Sequence, residues 1–215
     1  METEADLRQS MVEVMRAMAR SGLNRGTSGN ISARLGEGML VTASGVVPEA
    51  LTPSSMVYVG PAGERREGEL KPSSEWRMHQ GLLRRRPDMT AVVHCHARYC
   101  TILACLGRPI PPIHYMVGVS GASSVPVAPY ARFGSEALAE GVAAAMGQGG
   151  RACLMANHGL VALGVGLRMA LAIAEEIEEQ AAVYWGALAI GQPNQLTDRQ
   201  MDEVFAGFRG YGQAK

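Results

Sequence analysis

The chain has 215 residues, 47% of them apolar, and its 20 basic and 20 acidic residues cancel to a formal net charge of zero. That length suits one sizeable core rather than two independent ones, and the scattered, balanced charge argues against a nucleic-acid footprint or an acidic-membrane surface. The opening run Met1-Glu2-Thr3-Glu4-Ala5-Asp6 lacks the basic start and apolar stretch of an export signal, and no apolar run approaches the ~20 residues that a membrane helix needs. Cys95, Cys100, Cys105 and Cys153 show no paired spacing, so reduced thiols in a cytoplasm are the expectation.

In chain order, residues 4–21 read as an amphipathic helix. Leu7, Met11, Val14, Met15 and Met18 recur at helical spacing, and Gly22 can end it. The methionines are expected to fill core. After the turn formers of residues 22–29, residues 30–35 and 39–42 read as two strands joined by Gly36-Glu37-Gly38. Gly60-Pro61-Ala62-Gly63 marks a further turn. Pro72-Ser73-Ser74 opens a second helix that runs to about Arg86, where Pro87 stops it. Arg84-Arg85-Arg86 is expected to be its solvated end, since cations suit a helix C-terminus.

Residues 91–96 read as a buried strand, followed by a helix to about Leu106 and a loop to Pro112. Residues 120–129 are expected to be irregular. Helices are predicted over 134–146, 167–190 and 197–208, and strands over 152–156 and 160–164 on either side of Asn157-His158-Gly159. Strands and helices interleave without a linker or repeat, which predicts a single mixed α/β domain over residues 1–215.

The strongest chemical signal is His94-Cys95-His96. Residues two apart on a strand face the same side, at roughly 6–7 Å between Cα atoms, so two imidazoles there can converge on one ion. Two buried histidines are costly unless paired or liganded. Cys95 points the other way and is rejected as a ligand. A zinc site needs three or four ligands. Spacing alone does not choose among His79, His114 and His158 for the remainder. Glu75 is expected in the first turn of the second helix, sharing a face with His79; a carboxylate there is also an ordinary partner of the helix dipole. Thr27-Ser28-Gly29-Asn30, Thr42-Ala43-Ser44-Gly45 and Ser73-Ser74 offer hydroxyls and backbone N–H groups suited to an anion, although turn formation explains each equally well.

Taken in order, Gly26-Thr27-Ser28-Gly29-Asn30-Ile31-Ser32, Thr42-Ala43-Ser44-Gly45, Lys71-Pro72-Ser73-Ser74-Glu75-Trp76, Val93-His94-Cys95-His96-Ala97, Ile113-His114-Tyr115-Met116, Asn157-His158-Gly159-Leu160 and Phe208-Arg209-Gly210-Tyr211-Gly212 resemble the class II aldolase and adducin family, most closely its fuculose-phosphate aldolases. The resemblance spans about residues 7–212. It implies a three-layer α/β/α fold around a mostly antiparallel sheet, and a four-fold tetramer with active sites at subunit contacts. It implies one zinc ion held by His94, His96 and His158, with Glu75 as a fourth ligand that yields to substrate and as the catalytic acid–base. Thr27, Asn30, Ser44, Gly45, Ser73 and Ser74 would hold a sugar phosphate. Tyr115 would be a second catalytic group, and Phe133, Phe208 and Tyr211 would shape the aldehyde end. Two departures stand out: Ser44 replaces a threonine common in the family but keeps the hydroxyl, and Ala156-Asn157 stands where some fuculose-phosphate enzymes carry Gln-His.

The implied reaction is reversible cleavage of L-fuculose 1-phosphate, or a close relative, to dihydroxyacetone phosphate and a short aldehyde. The same scaffold serves aldolases of 5-deoxyribulose and methylthioribulose phosphates, decarboxylases, dehydratases and 4-epimerases. It also serves the non-catalytic adducin head, which the complete set of histidines and Glu75 disfavours. Lys71 and Lys215 are the sole lysines, which disfavours a Schiff-base aldolase.

Overall fold

The computed structural model describes residues 3–210. Helix α1 (Glu4–Arg20) starts at a capping box in which the Thr3 hydroxyl accepts from the Asp6 N–H and the Asp6 carboxylate accepts from the Thr3 N–H. Its Met11, Met15 and Met18 are buried, so the methionines do fill core. Strands β1 (Asn30–Leu35) and β2 (Gly38–Thr42) form the expected hairpin, with Leu35 opposite Gly38 and Gly36 turning the chain at φ 56°. Patterning does not predict β3 (Met56–Val59), because four residues are too few to display a period.

The remaining elements are α2 (Trp76–Arg85), β4 (Ala91–Cys95), α3 (Arg98–Cys105), a 3₁₀ turn over Tyr115–Ser120, β5 (Val127–Ala128), α4 (Glu136–Met146), β6 (Ala152–Met155), β7 (Gly159–Gly164), α5 (Leu167–Ile190) and α6 (Asp198–Phe208). The strands form one seven-stranded sheet in the order β3-β2-β1-β4-β7-β6-β5. Every neighbouring pair is antiparallel except β5 and β6. β5 falls inside the segment expected to be irregular; two residues after Pro126 leave no readable pattern.

Alternation along the strands sends apolar side chains to both faces, so both must be covered. Ile31, Val93, Leu154 and Leu160 pack on one face with buried residues of α1, α3 and α5. Val41, Val92, Cys153 and Val161 pack on the other with Met78, Leu82, Leu138 and Val142 of α2 and α4. Burying each such large side chain contributes about 1.5–3 kcal/mol relative to exposure. The result is a three-layer α/β/α architecture with β4 at its centre, paired with β1 on one side and β7 on the other.

Local placements differ from the sequence reading at three points. Glu75 stands at the cap position before α2, with φ −96° and ψ 10°, and makes no side-chain capping bond; the chain entering from Ser73 has not yet taken helical form there. β4 ends at Cys95, so His96 lies just beyond the strand. Arg86 is not a solvated end: it is 7% exposed. Its guanidinium is bidentate to Asp88 at 2.9 and 2.8 Å and also donates to the Gly150 carbonyl, which fastens the end of α2 to the approach to β6.

Cys95, Cys100 and Cys153 are buried free thiols, whereas Cys105 is exposed. Burial raises all three buried thiols, Cys95 and Cys153 to about 12. A thiol-disulfide reagent at neutral pH should therefore modify Cys105 alone in the native chain and all four cysteines after denaturation. Rapid native modification of a second cysteine would contradict this packing.

Candidate active site

The site assembles where the ends of β4, β1, β7 and α2 meet. His94 lies opposite Asn30 of β1 and Val161 of β7 in the sheet register. It is fully buried, and its Nδ1 donates to the Leu160 carbonyl at 2.9 Å, which aims Nε2 at the site. His96 follows the strand end; its backbone N–H donates to the Asn24 side-chain oxygen at 3.3 Å. His158 comes from the three-residue connection between β6 and β7, where Met155 pairs with Gly159. That tight return needs left-handed backbone, and Asn157 supplies it at φ 55°. Gly159 admits no side chain: a Cβ there would lie 2.4 Å from the Cys95 carbonyl oxygen and 3.0 Å from the His96 ring.

The three rings form a nearly equilateral triangle with centroid separations of 4.9, 4.8 and 5.1 Å. A ligand atom from each lies within 4.8 Å of the others, so the group can hold a metal ion. Glu75 completes it, with Oε2 3.0 Å from His94 Nε2 and Oε1 3.4 Å from His158 Nε2. His94 and His96 also turn their Nε2 atoms toward each other at 3.2 Å.

The electrostatics are those of a buried carboxylate among imidazoles that compete to carry positive charge. Burial opposes ionisation of Glu75, but His94, His158 and the Asn30 amide outweigh it and hold the carboxyl well below its usual range. Burial pulls His94 down, yet the Glu75 charge and hydrogen bond, with the Leu160 carbonyl, leave it above its ordinary value. Burial and the neighbouring imidazoles lower His96 to about 4 and lower His158 too. Glu75 Oε1 is buried without a hydrogen-bond partner. Three imidazole nitrogens beside a carboxylate with an unsatisfied oxygen suit a divalent metal of the zinc type.

Beside this cluster opens a cleft of about 340 Å³. Thr27, Asn30, Ser44, Gly45, Ser73 and Ser74, all expected to hold phosphate, line it together with Phe133. The chain beyond β2 brings two of these segments side by side: Ser73 N–H donates to the Thr42 carbonyl and Ser44 N–H to the Lys71 carbonyl, each at 2.9 Å. Asn157, quoted with His158 in the sequence motif but given no role, also lines the cleft, as does Tyr130, which nothing in its local sequence singled out. No arginine or lysine does so among the described residues.

The other expected residues lie elsewhere. Tyr115 and Phe208, with ring centroids 6.5 Å apart, border a separate apolar groove with Met116, Val119 and Ile173. Tyr211 lies outside the described residues. Of the histidines left open by spacing, His114 accepts from the Met116 N–H at 3.2 Å, and His79 is fully buried behind Asn30.

Residues 9–185 match the family model described as the class II aldolase and adducin N-terminal domain. The chain is 45% identical over 206 residues to the 5-methylthioribulose-1-phosphate/5-deoxyribulose-1-phosphate aldolase of Rhodospirillum rubrum, covering 96% of this chain and 92% of that one. It is 44% identical over 207 residues to the L-fuculose phosphate aldolase of Escherichia coli K12, covering 96% and 95%. A solved structure titled L-fuculose 1-phosphate aldolase superposes with a TM-score of 0.91 at 38% identity, covering 95% of this chain and 96% of that one. The chain belongs to the class II aldolase and adducin family, and within it to the aldolase enzymes.

Proposed function

We propose that the chain is one class II aldolase domain over residues 1–215 that reversibly cleaves L-fuculose 1-phosphate, or a close ketose 1-phosphate, to dihydroxyacetone phosphate and a short aldehyde such as L-lactaldehyde. The observation that carries this reading is the buried group of Glu75, His94, His96 and His158 at the head of a cleft lined by hydroxyls and small loop residues. In this reading His94, His96 and His158 would hold one zinc ion, with Glu75 as a fourth ligand that would yield to substrate. The metal supplies Lewis-acid stabilisation of the negative charge that develops beside the ketone.

The chain's own residues do the rest. Thr27, Asn30, Ser44, Gly45, Ser73 and Ser74 bind the phosphate and fix the ketose along the cleft, so binding at the non-reacting end orients the bond to be broken. As the carbon–carbon bond breaks, its electron pair passes toward the ketone and the departing hydroxyl loses its proton to become the aldehyde. In the condensation direction the Glu75 carboxylate removes a proton from the carbon beside the ketone; in cleavage it takes one up from solvent and returns it to the carbon left behind. Phe133, which lines the cleft, is assigned to the aldehyde portion. Tyr115 is 49% exposed and outside its own chain's cleft. We assign it to the hydroxyl proton in a neighbouring copy, with Phe208 and Tyr211 beside that aldehyde, in a homotetramer. The enzyme is read as cytoplasmic, with a small sugar phosphate as its partner rather than nucleic acid or membrane; no described helix is long and apolar enough to cross a membrane.

A second reading differs in the aldehyde alone. The Rhodospirillum rubrum relative carries the name of a methylthioribulose- and deoxyribulose-phosphate aldolase. Those ketoses would present the same phosphate and ketone to the same groups. Release of dihydroxyacetone phosphate from L-fuculose 1-phosphate and from 5-deoxyribulose 1-phosphate, each with a chelated and a zinc-restored sample, ranks the two. Chelation should abolish release and zinc restore it. No release from either ketose by zinc-loaded protein would sink both readings and turn attention to decarboxylase, dehydratase and epimerase assays.

Glu75→Gln should lower kcat by about 10²-fold or more, the usual scale for a lost general acid–base, while the three histidines still retain metal. Near-normal turnover with metal bound would remove Glu75 from the proton step. His94→Ala should lose both zinc and activity.

Metal binding should also be linked to pH. The Glu75 charge holds His94 above its ordinary value, so it keeps its proton to higher pH than a free imidazole does, and a metal must displace that proton where it is present. Affinity should fall as pH falls through the His94 pKa, and zinc uptake at pH values below it should release a proton from His94. His96 and His158 are lowered and give up their protons at lower pH than His94 does. Calorimetry in two buffers of different ionisation enthalpy measures this; uptake without proton release would contradict it.

A further inference from the structure

His79 takes no part in the metal group or the cleft lining, yet it is fully buried one helical turn after Glu75. Its Nδ1 lies 2.8 Å from the Ser32 hydroxyl and its Nε2 lies 2.5 Å from the Asn30 side-chain oxygen. Asn30 in turn donates from its amino group to Glu75 Oε2 at 3.1 Å. Ser32 and Asn30 are two residues apart on β1 and face α2, which carries His79. Ser32, His79, Asn30 and Glu75 thus form one unbroken line of buried hydrogen bonds, with exposures of 0, 0, 7 and 5%.

The direction of every bond in that line follows from one end. The Glu75 carboxylate can accept but not donate, so the amino group of Asn30 must face it. The Asn30 oxygen then faces His79 and accepts, which makes His79 Nε2 the donor. Burial keeps the ring neutral, lowering it to about 3, so Nδ1 is the acceptor and the Ser32 hydroxyl donates to it.

We propose that His79 is a positioning residue for the proton-transferring carboxylate: its Nε2–H holds the Asn30 amide in the one orientation that presents an N–H to Glu75. The proposal rests on the reading of Glu75 as the proton carrier. The opposite amide orientation would set an oxygen against the carboxylate and leave the His79 N–H facing an amino group. With the line intact, Asn30 meets the cleft and Glu75 together, tying the anchored end of the substrate to the group that moves the proton.

Two variants separate this role from simple core filling. In His79→Gln the longer amide reaches the Nε2 position and can still donate to Asn30, but it offers nothing to Ser32. In His79→Asn the shorter amide can still bond Ser32 and leaves Asn30 free. Each keeps one of two hydrogen bonds, so their thermal midpoints should fall by similar amounts. The probe is exchange of the hydroxymethyl hydrogen of dihydroxyacetone phosphate in D2O, followed by NMR at saturating concentration. It reports the proton step whichever aldehyde the enzyme uses.

His79→Asn should slow exchange by about tenfold to a hundredfold, the scale of a misplaced group, with unchanged metal content and little change in KM. His79→Gln should recover most of the wild-type rate. Equal losses in the two variants, or a wild-type rate in His79→Asn, would overturn the proposal. Should the variants fail to fold, the nitrogen-15 shifts of His79 in the zinc-loaded wild-type protein still decide it: Nε2–H supports the line as drawn, and Nδ1–H refutes it. Absence of exchange in zinc-loaded wild type would instead count against Glu75 as proton carrier, while the shifts go on deciding the orientation of Asn30.

Discussion

A carboxylate taken out of water must find positive charge or hydrogen-bond donors, and much of this fold is organised around meeting that demand for Glu75. Only 5% of the residue is exposed, a position costing several kcal/mol for an uncompensated ion. The compensation comes from separate parts of the chain: His94 on the central strand, His158 on the return between β6 and β7, and Asn30 on β1. None of these partners is local to Glu75 in sequence. The site therefore exists only when β1, β4 and β7 are paired in register and α2 is docked on their face.

The central strand sets the scale of the arrangement. β4 is buried on both faces and paired along both edges, which leaves its histidine little freedom, and the Leu160 carbonyl fixes the rotation of the ring. The absence of a side chain at Gly159 lets β7 start close enough for His158 to reach the same point. A backbone contact thus fixes the His94 ring, and the close start of β7 brings His158 to it, part of what a preorganised site requires.

Much of the layering was legible from patterning, because long periodic segments such as 4–20 and 167–190 bury one side over many turns. β3 and β5 were not, being four and two residues long and defined mainly by their sheet neighbours. The HxH pair stood out, but local spacing could not choose among His79, His114 and His158. Convergence of His158 is a property of strand order, in which β4 and β7 are adjacent although His94 and His158 lie far apart in the sequence. The resemblance to known aldolases supplied that assignment. Arg86 shows the reverse case: a run of three arginines reads as solvated helix end, and only the approach of Gly150 and Asp88 turns its last member inward.

The lack of any arginine or lysine along the cleft of the described chain has a thermodynamic consequence. Hydroxyls, amides and backbone N–H groups can orient a phosphate, but they bring no formal charge to offset it. On the proposed reading an ion held by the three histidines would supply much of that offset, with Lys71 and Arg132 further off in the adjoining pocket that shares Ser73 and Ser74, so occupancy of the two positions would be linked. Linkage is reciprocal: whatever factor the ion adds to affinity for the sugar phosphate, the sugar phosphate adds to retention of the ion. A protein built this way would hold its metal most firmly while substrate is present and would be most open to losing it to a competing chelator when substrate runs out.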